Sequence, residues 1–140
     1  MRVLSLFSGI GPDLEGMLAA GMVIDHYWAV EIDPIARQVA KERLHQMHRR
    51  FPLQVNADRN NRAHTQLPQD ITLVSLRYIQ DLRRIDLVVA GWPCQGHSRA
   101  GGGLGFSDPR SRLFHELIRV LESVQASQES PVGFLLENVF

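Results

Sequence analysis

The stretch from Val3 to Gly11 constrains this chain more than any other. Val3 to Phe7 is a short apolar run of strand type, and it breaks at Ser8-Gly9-Ile10-Gly11. Behind the break, Leu14, Met17, Leu18 and Gly21 recur at helical spacing. Pro12 stands at the first helical position, where a missing N–H costs nothing. A strand that passes through a glycine turn into a helix opens an α/β unit. Glycines in such a turn let the backbone approach a ligand closely, and the helix N-terminus adds exposed N–H groups.

The rest of the chain repeats the alternation. Tyr27 to Glu31 is a second apolar run, and Asp33-Pro34 starts a helix with Asp as cap and Pro in the first turn. Ile35, Ala36, Val39, Ala40, Leu44 and Met47 continue it as an apolar stripe. Asn56 to Gln69 is polar and aperiodic and reads as a loop or insertion, with a third strand expected to end near Gln69-Asp70-Ile71. Ser75 to Leu82 reads as a short helix, and Ile85 to Ala90 is the clearest strand, ending in Gly91. Gly101-Gly102-Gly103 marks a loop. Leu113, Phe114, Leu117, Ile118, Leu121 and Val124 form a helical stripe, and Val132 to Leu136 is a last strand running into Glu137-Asn138. Strands alternating with helices imply an α/β, doubly wound parallel sheet covered on both faces. No repeat or linker interrupts it, so residues 1–140 read as one domain. A strand close to Phe140 makes the sheet look unfinished at its C-terminus.

At 140 residues, with 44% hydrophobic and 21% charged side chains, the chain has the balance of a soluble domain with a real core. No apolar run approaches the roughly 20 residues that span a bilayer. The apolar N-terminus is too short for a signal peptide and enters a glycine turn instead of a cleavage site. The expectation is an intracellular protein with no membrane partner, cytoplasmic in a bacterium or nuclear in a eukaryote. A single cysteine excludes an internal disulfide and a cysteine-built zinc site, and no metal is expected. The formal net charge is zero, which neither demands nor excludes a nucleic-acid partner. Basic residues from Arg37 to Arg50 lie on an expected helix and read as a solvated face; Arg99, Arg110 and Arg112 form a second group.

Four places carry chemistry. Glu31 ends the second strand twenty residues beyond Gly11, where an acid suits the hydroxyls of a ribose. With the glycine turn it implies a nucleotide-like cofactor. The third glycine of the dinucleotide fingerprint is replaced by Leu14, which disfavours a nicotinamide-dependent oxidoreductase. Asp70 follows the expected third strand and suits an adenine amino group, with Asp58 as competitor. The strand ending at Gly91 delivers Trp92-Pro93-Cys94-Gln95-Gly96-His97-Ser98 to the carboxyl edge of the sheet, where open α/β folds bind ligands. A lone cysteine is most often a small buried hydrophobe. In a loop at that edge it is instead presented to substrate, and attack by its thiolate needs a lowered pKa or a nearby proton acceptor. His97 and Arg99 lie close in sequence and bring positive potential. Glu137-Asn138 ends the next strand on the same edge, so Cys94 and Glu137 form a candidate nucleophile and general acid; the plainer reading of Glu137 is a cap or surface charge.

With these residues in view, the chain resembles the DNA (cytosine-5) methyltransferases. Phe7-Ser8-Gly9-Ile10-Gly11 is similar to that family's first motif, Glu31-Ile32-Asp33 to its second and Gln69-Asp70-Ile71-Thr72 to its third. Pro93-Cys94-Gln95 resembles the catalytic fourth motif and Glu137-Asn138-Val139 the sixth, with Gly105 to Phe114 resembling the stretch between them. The resemblance covers nearly the whole chain in order, and it favours Asp70 over Asp58. It implies a Rossmann-like fold and S-adenosylmethionine as cofactor, with Phe7, Gly9, Gly11, Glu31, Ile32, Asp70, Ile71, Pro93 and Leu113 lining its pocket. It implies DNA as substrate, Cys94 and Glu137 as catalytic residues, and Gln95, Ser98, Arg99 and Asn138 facing the nucleic acid. Restriction–modification is one role such a family member serves, and the sequence does not choose between it and an epigenetic role. Two readings stay beside it: a non-catalytic homologue that binds cofactor or partner only, and the same transfer to tRNA. The chain departs from the family at Pro12, commonly Gly, and lacks a Gln-x-Arg-x-Arg motif and a target-recognition region. A continuation of the chain or a second chain is expected to supply them.

Overall fold

The computed structural model describes residues 1–55, 67–92 and 112–138. In chain order these form β1 (Arg2–Leu6), α1 (Pro12–Ala19), β2 (His26–Val30), α2 (Pro34–Arg50), a 3-10 turn (Ile71–Leu73), α3 (Leu76–Asp81), β3 (Leu87–Gly91), α4 (Arg112–Ala126) and β4 (Gly133–Glu137). The four strands form one sheet in the order β2-β1-β3-β4, and every pairing is parallel.

Side chains alternate across each strand, so the sheet has two apolar faces. Leu4 and Leu6 of β1 and Val88 and Ala90 of β3 point to one face, where Leu117, Val120 and Val124 of α4 and Ile79 of α3 cover them. Val3 of β1 and Val89 of β3 point to the other, where Leu14, Met17 and Leu18 of α1 and Met47 of α2 cover them. Helices on both faces of a parallel sheet make the doubly wound architecture expected from the alternation. The chain steps from β1 to one side for β2 and to the other for β3. Their carboxyl ends therefore flank a switch point, the crevice where such sheets take ligands.

Local signals account for most boundaries. Gly11 caps α1 at φ 77, a left-handed conformation that glycine adopts without strain, and Pro12 sits in the first turn. Asp33 caps α2 by accepting from the Ile35 N–H at 2.8 Å, with Pro34 next. Among the described residues no strand ends at Gln69-Asp70-Ile71, and residues 56–66, over which the expected third strand would run, lie outside them. Asp70 instead accepts from both the N–H and the hydroxyl of Thr72, turning the backbone into the 3-10 turn, and Ile71 packs into the core. Beyond β2 the pairing among the described residues is a single parallel bridge, Ile24 to Val55. The stripe read on α2 is also buried less than expected: Met47 is buried, whereas Ile35 is 72% exposed and Val39 40%. The helix touches the sheet chiefly through its C-terminal half. No helix among the described residues is long and apolar enough to cross a membrane.

Candidate active site

A cleft of about 480 Å³ opens at the switch point. It is lined by Phe7, Ser8 and Gly9 of the turn after β1, by Asp13 of α1, and by Gly91 and Glu137 at the ends of β3 and β4. Its volume lies in the range of about 300–1,000 Å³ usual for small-molecule and cofactor sites.

The turn is shaped by conformation first. Phe7 has φ 58, Gly9 φ 53 and Gly11 φ 77. For a bulky residue such as Phe7 the left-handed region is strained, and strain of this kind gathers at ligand-binding turns. The N–H of Ser8 donates to the carbonyl of Val30 at 3.2 Å and that of Gly11 to the carbonyl of Ser8 at 2.9 Å. A Cβ built on Gly9 or Gly11 would meet nothing within 4 Å, so the turn presents open backbone.

Glu31 anchors that turn. One carboxylate oxygen accepts from the Gly9 N–H and the other from the Asp33 N–H, each at 2.8 Å. Each oxygen keeps a lone pair for an outside donor. Arg37 steadies the same segment by donating to the carbonyls of Glu31 at 3.0 Å and Ile32 at 2.6 Å. Arg43 and Arg50 pair with Glu15. Three of the basic residues read as a solvated face therefore hold structure. Ile32, 66% exposed, presents an apolar surface beside Glu31.

Asp13, at the N-terminal turn of α1, accepts from the Tyr27 hydroxyl at 3.0 and 3.1 Å. Burial, and then the charge of Asp13, push the Tyr27 phenol far above the usual tyrosine range, so it stays a donor. Neither residue stood out in the sequence; an Asp in a first turn reads as ordinary helix chemistry.

The other expected residues divide. Phe7, Gly9 and Glu137 line the cleft, and Gly11 lines a smaller cavity of about 190 Å³ between α1, β2 and α2. Asp70, Ile71 and Leu113 do not line the main cleft. Asp70 caps the 3-10 turn, Ile71 is 4% exposed in the core, and Leu113 packs half-buried against the same core. That turn is tied to α4 by Arg119, which donates to the carbonyls of Val74 at 2.7 Å and Ile71 at 2.9 Å. Asn138 reaches from the end of β4 to the Trp92 carbonyl at 3.4 Å, joining it to the end of β3. Trp92 leans on Phe114 of α4 with ring centroids 5.1 Å apart. Pro93, Cys94, Gln95, Ser98 and Arg99 lie outside the described residues, as does Asp58.

Glu137 stands directly opposite Gly91 in the parallel register of β3 and β4. Its carboxylate is exposed to the cleft, on the strand beside β3, whose end lies three residues before Cys94 in sequence. A nucleotide-sized cavity, an open glycine turn backed by a carboxylate, and a second carboxylate in the same cleft suit a cofactor that brings a group to a reactant held near Glu137.

Comparisons with known proteins bear on this arrangement. The chain is 32% identical over 140 residues to Type II methyltransferase M2.BsuMI of Bacillus subtilis (strain 168), covering 99% of this chain and 29% of that protein. It is 31% identical over 143 residues to Type II methyltransferase M.NgoBV of Neisseria gonorrhoeae, covering 99% of this chain and 28% of that one. The chain thus spans under a third of the length of these curated relatives. Among solved structures it superposes on a mutant of Spodoptera frugiperda DNMT2 with a TM-score of 0.58 and 27% identity, covering 99% of this chain and 35% of that one. The profile of the C-5 cytosine-specific DNA methylases matches residues 1–140, and the chain belongs to that family.

Proposed function

We propose that this chain carries the cofactor-binding and catalytic portion of an enzyme that transfers a methyl group from S-adenosylmethionine to C5 of cytosine in DNA. The observation that carries the reading is that the glycine turn and Glu137 line one cleft at the switch point. The turn suits the cofactor and Glu137 the base.

The residues present fit S-adenosylmethionine. The open backbone at Gly9, the strained Phe7 and the doubly anchored Glu31 form a cradle for a nucleoside, with Glu31 toward ribose hydroxyls. Exposed Ile32 offers an apolar face to the adenine, whereas Asp70, which the resemblance assigns to the adenine amino group, lies outside the cleft lining and caps the 3-10 turn. When bound, the cofactor supplies an electrophilic methyl group to C5.

The chain's own residues do the rest. The target base is flipped out of the duplex, because a stacked base cannot be reached. The Cys94 thiolate bonds to C6 while Glu137 delivers a proton to N3, so the displaced electron pair makes C5 nucleophilic. After methylation, a base removes the C5 proton, the sulfur departs as thiolate, and N3 returns its proton to Glu137, which restores the neutral aromatic ring. Gln95, Ser98, Arg99 and Asn138 face the nucleic acid. Choice of target sequence is assigned to polypeptide outside this chain, whether a continuation or a second chain.

The test is transfer of labelled methyl from S-adenosylmethionine to DNA, with the remaining portion supplied. Cys94→Ala and Glu137→Gln should each remove activity by at least about a hundredfold. Undiminished transfer by Cys94→Ala would overturn the covalent route. An RNA substrate run in parallel separates the tRNA reading, and calorimetry with S-adenosylmethionine separates a scaffold that binds nothing.

A further inference from the structure

Gly91 differs from the glycines of the cofactor turn. Gly9 and Gly11 have positive φ and open space around them, so their backbone explains their identity. Gly91 is not among the residues with positive φ, and its backbone is that of a strand any residue can adopt. A glycine there, at the last position of β3, forgoes the packing that Val88 and Val89 provide just before it. A close approach is visible: a Cβ at position 91 would lie 3.2 Å from Oε2 of Glu137 and 4.0 Å from its carbonyl oxygen. Gly133, also in a strand, meets a backbone carbonyl and a leucine methyl instead.

We propose that Gly91 is a positioning residue for Glu137. The missing side chain leaves a slot at the end of β3, and the Glu137 carboxylate lies back into it from the neighbouring strand. Without the slot the carboxylate swings outward. The blocking atom is the free end of an exposed, flexible side chain, so a methyl group at position 91 moves the carboxylate and leaves the sheet in place. Both residues line the cleft, so the displacement falls where the base is held. This inference rests on the reading of Glu137 as the group that protonates the base.

The test is Gly91→Ala in the methyl-transfer assay, alone and combined with Glu137→Ala, which empties the slot. Gly91→Ala should melt with the wild type or slightly above it, since alanine restricts the unfolded chain. Its single-turnover rate should fall severalfold to about tenfold, since a contact of 3.2 Å displaces the carboxylate by less than the 1 Å that costs about a hundredfold, with little change in KM for S-adenosylmethionine. In the Glu137→Ala background the same substitution should change the rate little, because the group it acts through is gone. Equal fold losses in both backgrounds would overturn the proposal. If instead Glu137→Ala is as active as wild type, it is the functional reading that fails. The slot is then judged by the 13C carboxyl resonance of Glu137, which Gly91→Ala must shift; an unmoved resonance would overturn the slot itself.

Discussion

The backbone N–H of Gly9 donates to Oε2 of Glu31 at 2.8 Å, so the acid that ends one strand holds the glycine turn that ends its neighbour. The other oxygen holds the N–H of Asp33, which caps the next helix. One carboxylate thus couples the turn after β1 to the start of α2 before any ligand arrives.

Glu31→Ala should therefore weaken cofactor binding in two ways, by removing an acceptor and by releasing the turn. Losing hydrogen bonds to a charged group costs about 2–3 kcal/mol, or roughly a 30-fold to 150-fold rise in Kd. Glu31→Gln keeps one acceptor and should recover part of the loss. Calorimetric titration with S-adenosylmethionine checks both. Wild-type affinity in Glu31→Ala would show that the turn holds its shape unaided.

Tyr27 and Asp13 make a second coupling, from β2 to the first turn of α1. Removing the hydroxyl with Tyr27→Phe leaves the ring packed and takes a donor from a carboxylate. The expected cost is about 1–2 kcal/mol in urea unfolding. Asp13→Asn should cost less than Asp13→Ala, because its amide oxygen still accepts from the phenol. Burial keeps the Tyr27 phenol protonated throughout the ordinary range, so this contribution should not fade as pH rises toward 10, the usual tyrosine value.

How much of this was legible in the sequence follows from how local each signal was. The glycine turn, the Asp33-Pro34 start and the β-branched run before Gly91 are short-range chemistry, and they place β1, β3 and the start of α2 correctly to within two residues. Glu31 was found because its distance from the glycine turn reflects the size of one strand–helix–strand unit. The 3-10 turn at Ile71 was missed because Asp70 satisfies Thr72 locally, a competition that apolar periodicity does not register. The α2 stripe overstated burial because spacing gives a face, not the extent to which the sheet covers it. Gly91 read simply as the end of a strand. Its slot depends on the register of β3 with β4, a contact 46 residues away in sequence.

Arg119 is the tie between α4 and the turn carrying Asp70. Its guanidinium serves the carbonyls of Ile71 and Val74 and also pairs with Glu116. The side chain is 39% exposed, so solvent screens the ion pair and the carbonyl bonds dominate. Arg119→Met should cost about 2–3 kcal/mol in urea unfolding, whereas Glu116→Gln should cost less than about 0.5 kcal/mol. Equal costs for the two variants would mean that the ion pair, rather than the carbonyls, is what holds.

His48 sets a pH dependence. Burial, and then the neighbouring His45, lower its imidazole pKa below the usual 6.5. Its Nε2 is buried with no hydrogen-bond partner among the described residues, so a proton placed there gains no acceptor. As pH falls through 6.5 the unfolded chain takes up this proton before the folded chain does. Stability from this group is therefore complete above the unfolded value, and it declines through the lowered folded value and then levels off. The wild type should lose unfolding midpoint on acidification from pH 7 toward 5, and His48→Gln should lose less over the same interval. Carboxylates titrate lower and contribute equally to both proteins, so the difference between the two curves isolates the imidazole. Parallel curves for wild type and variant would place the acid sensitivity elsewhere in the chain.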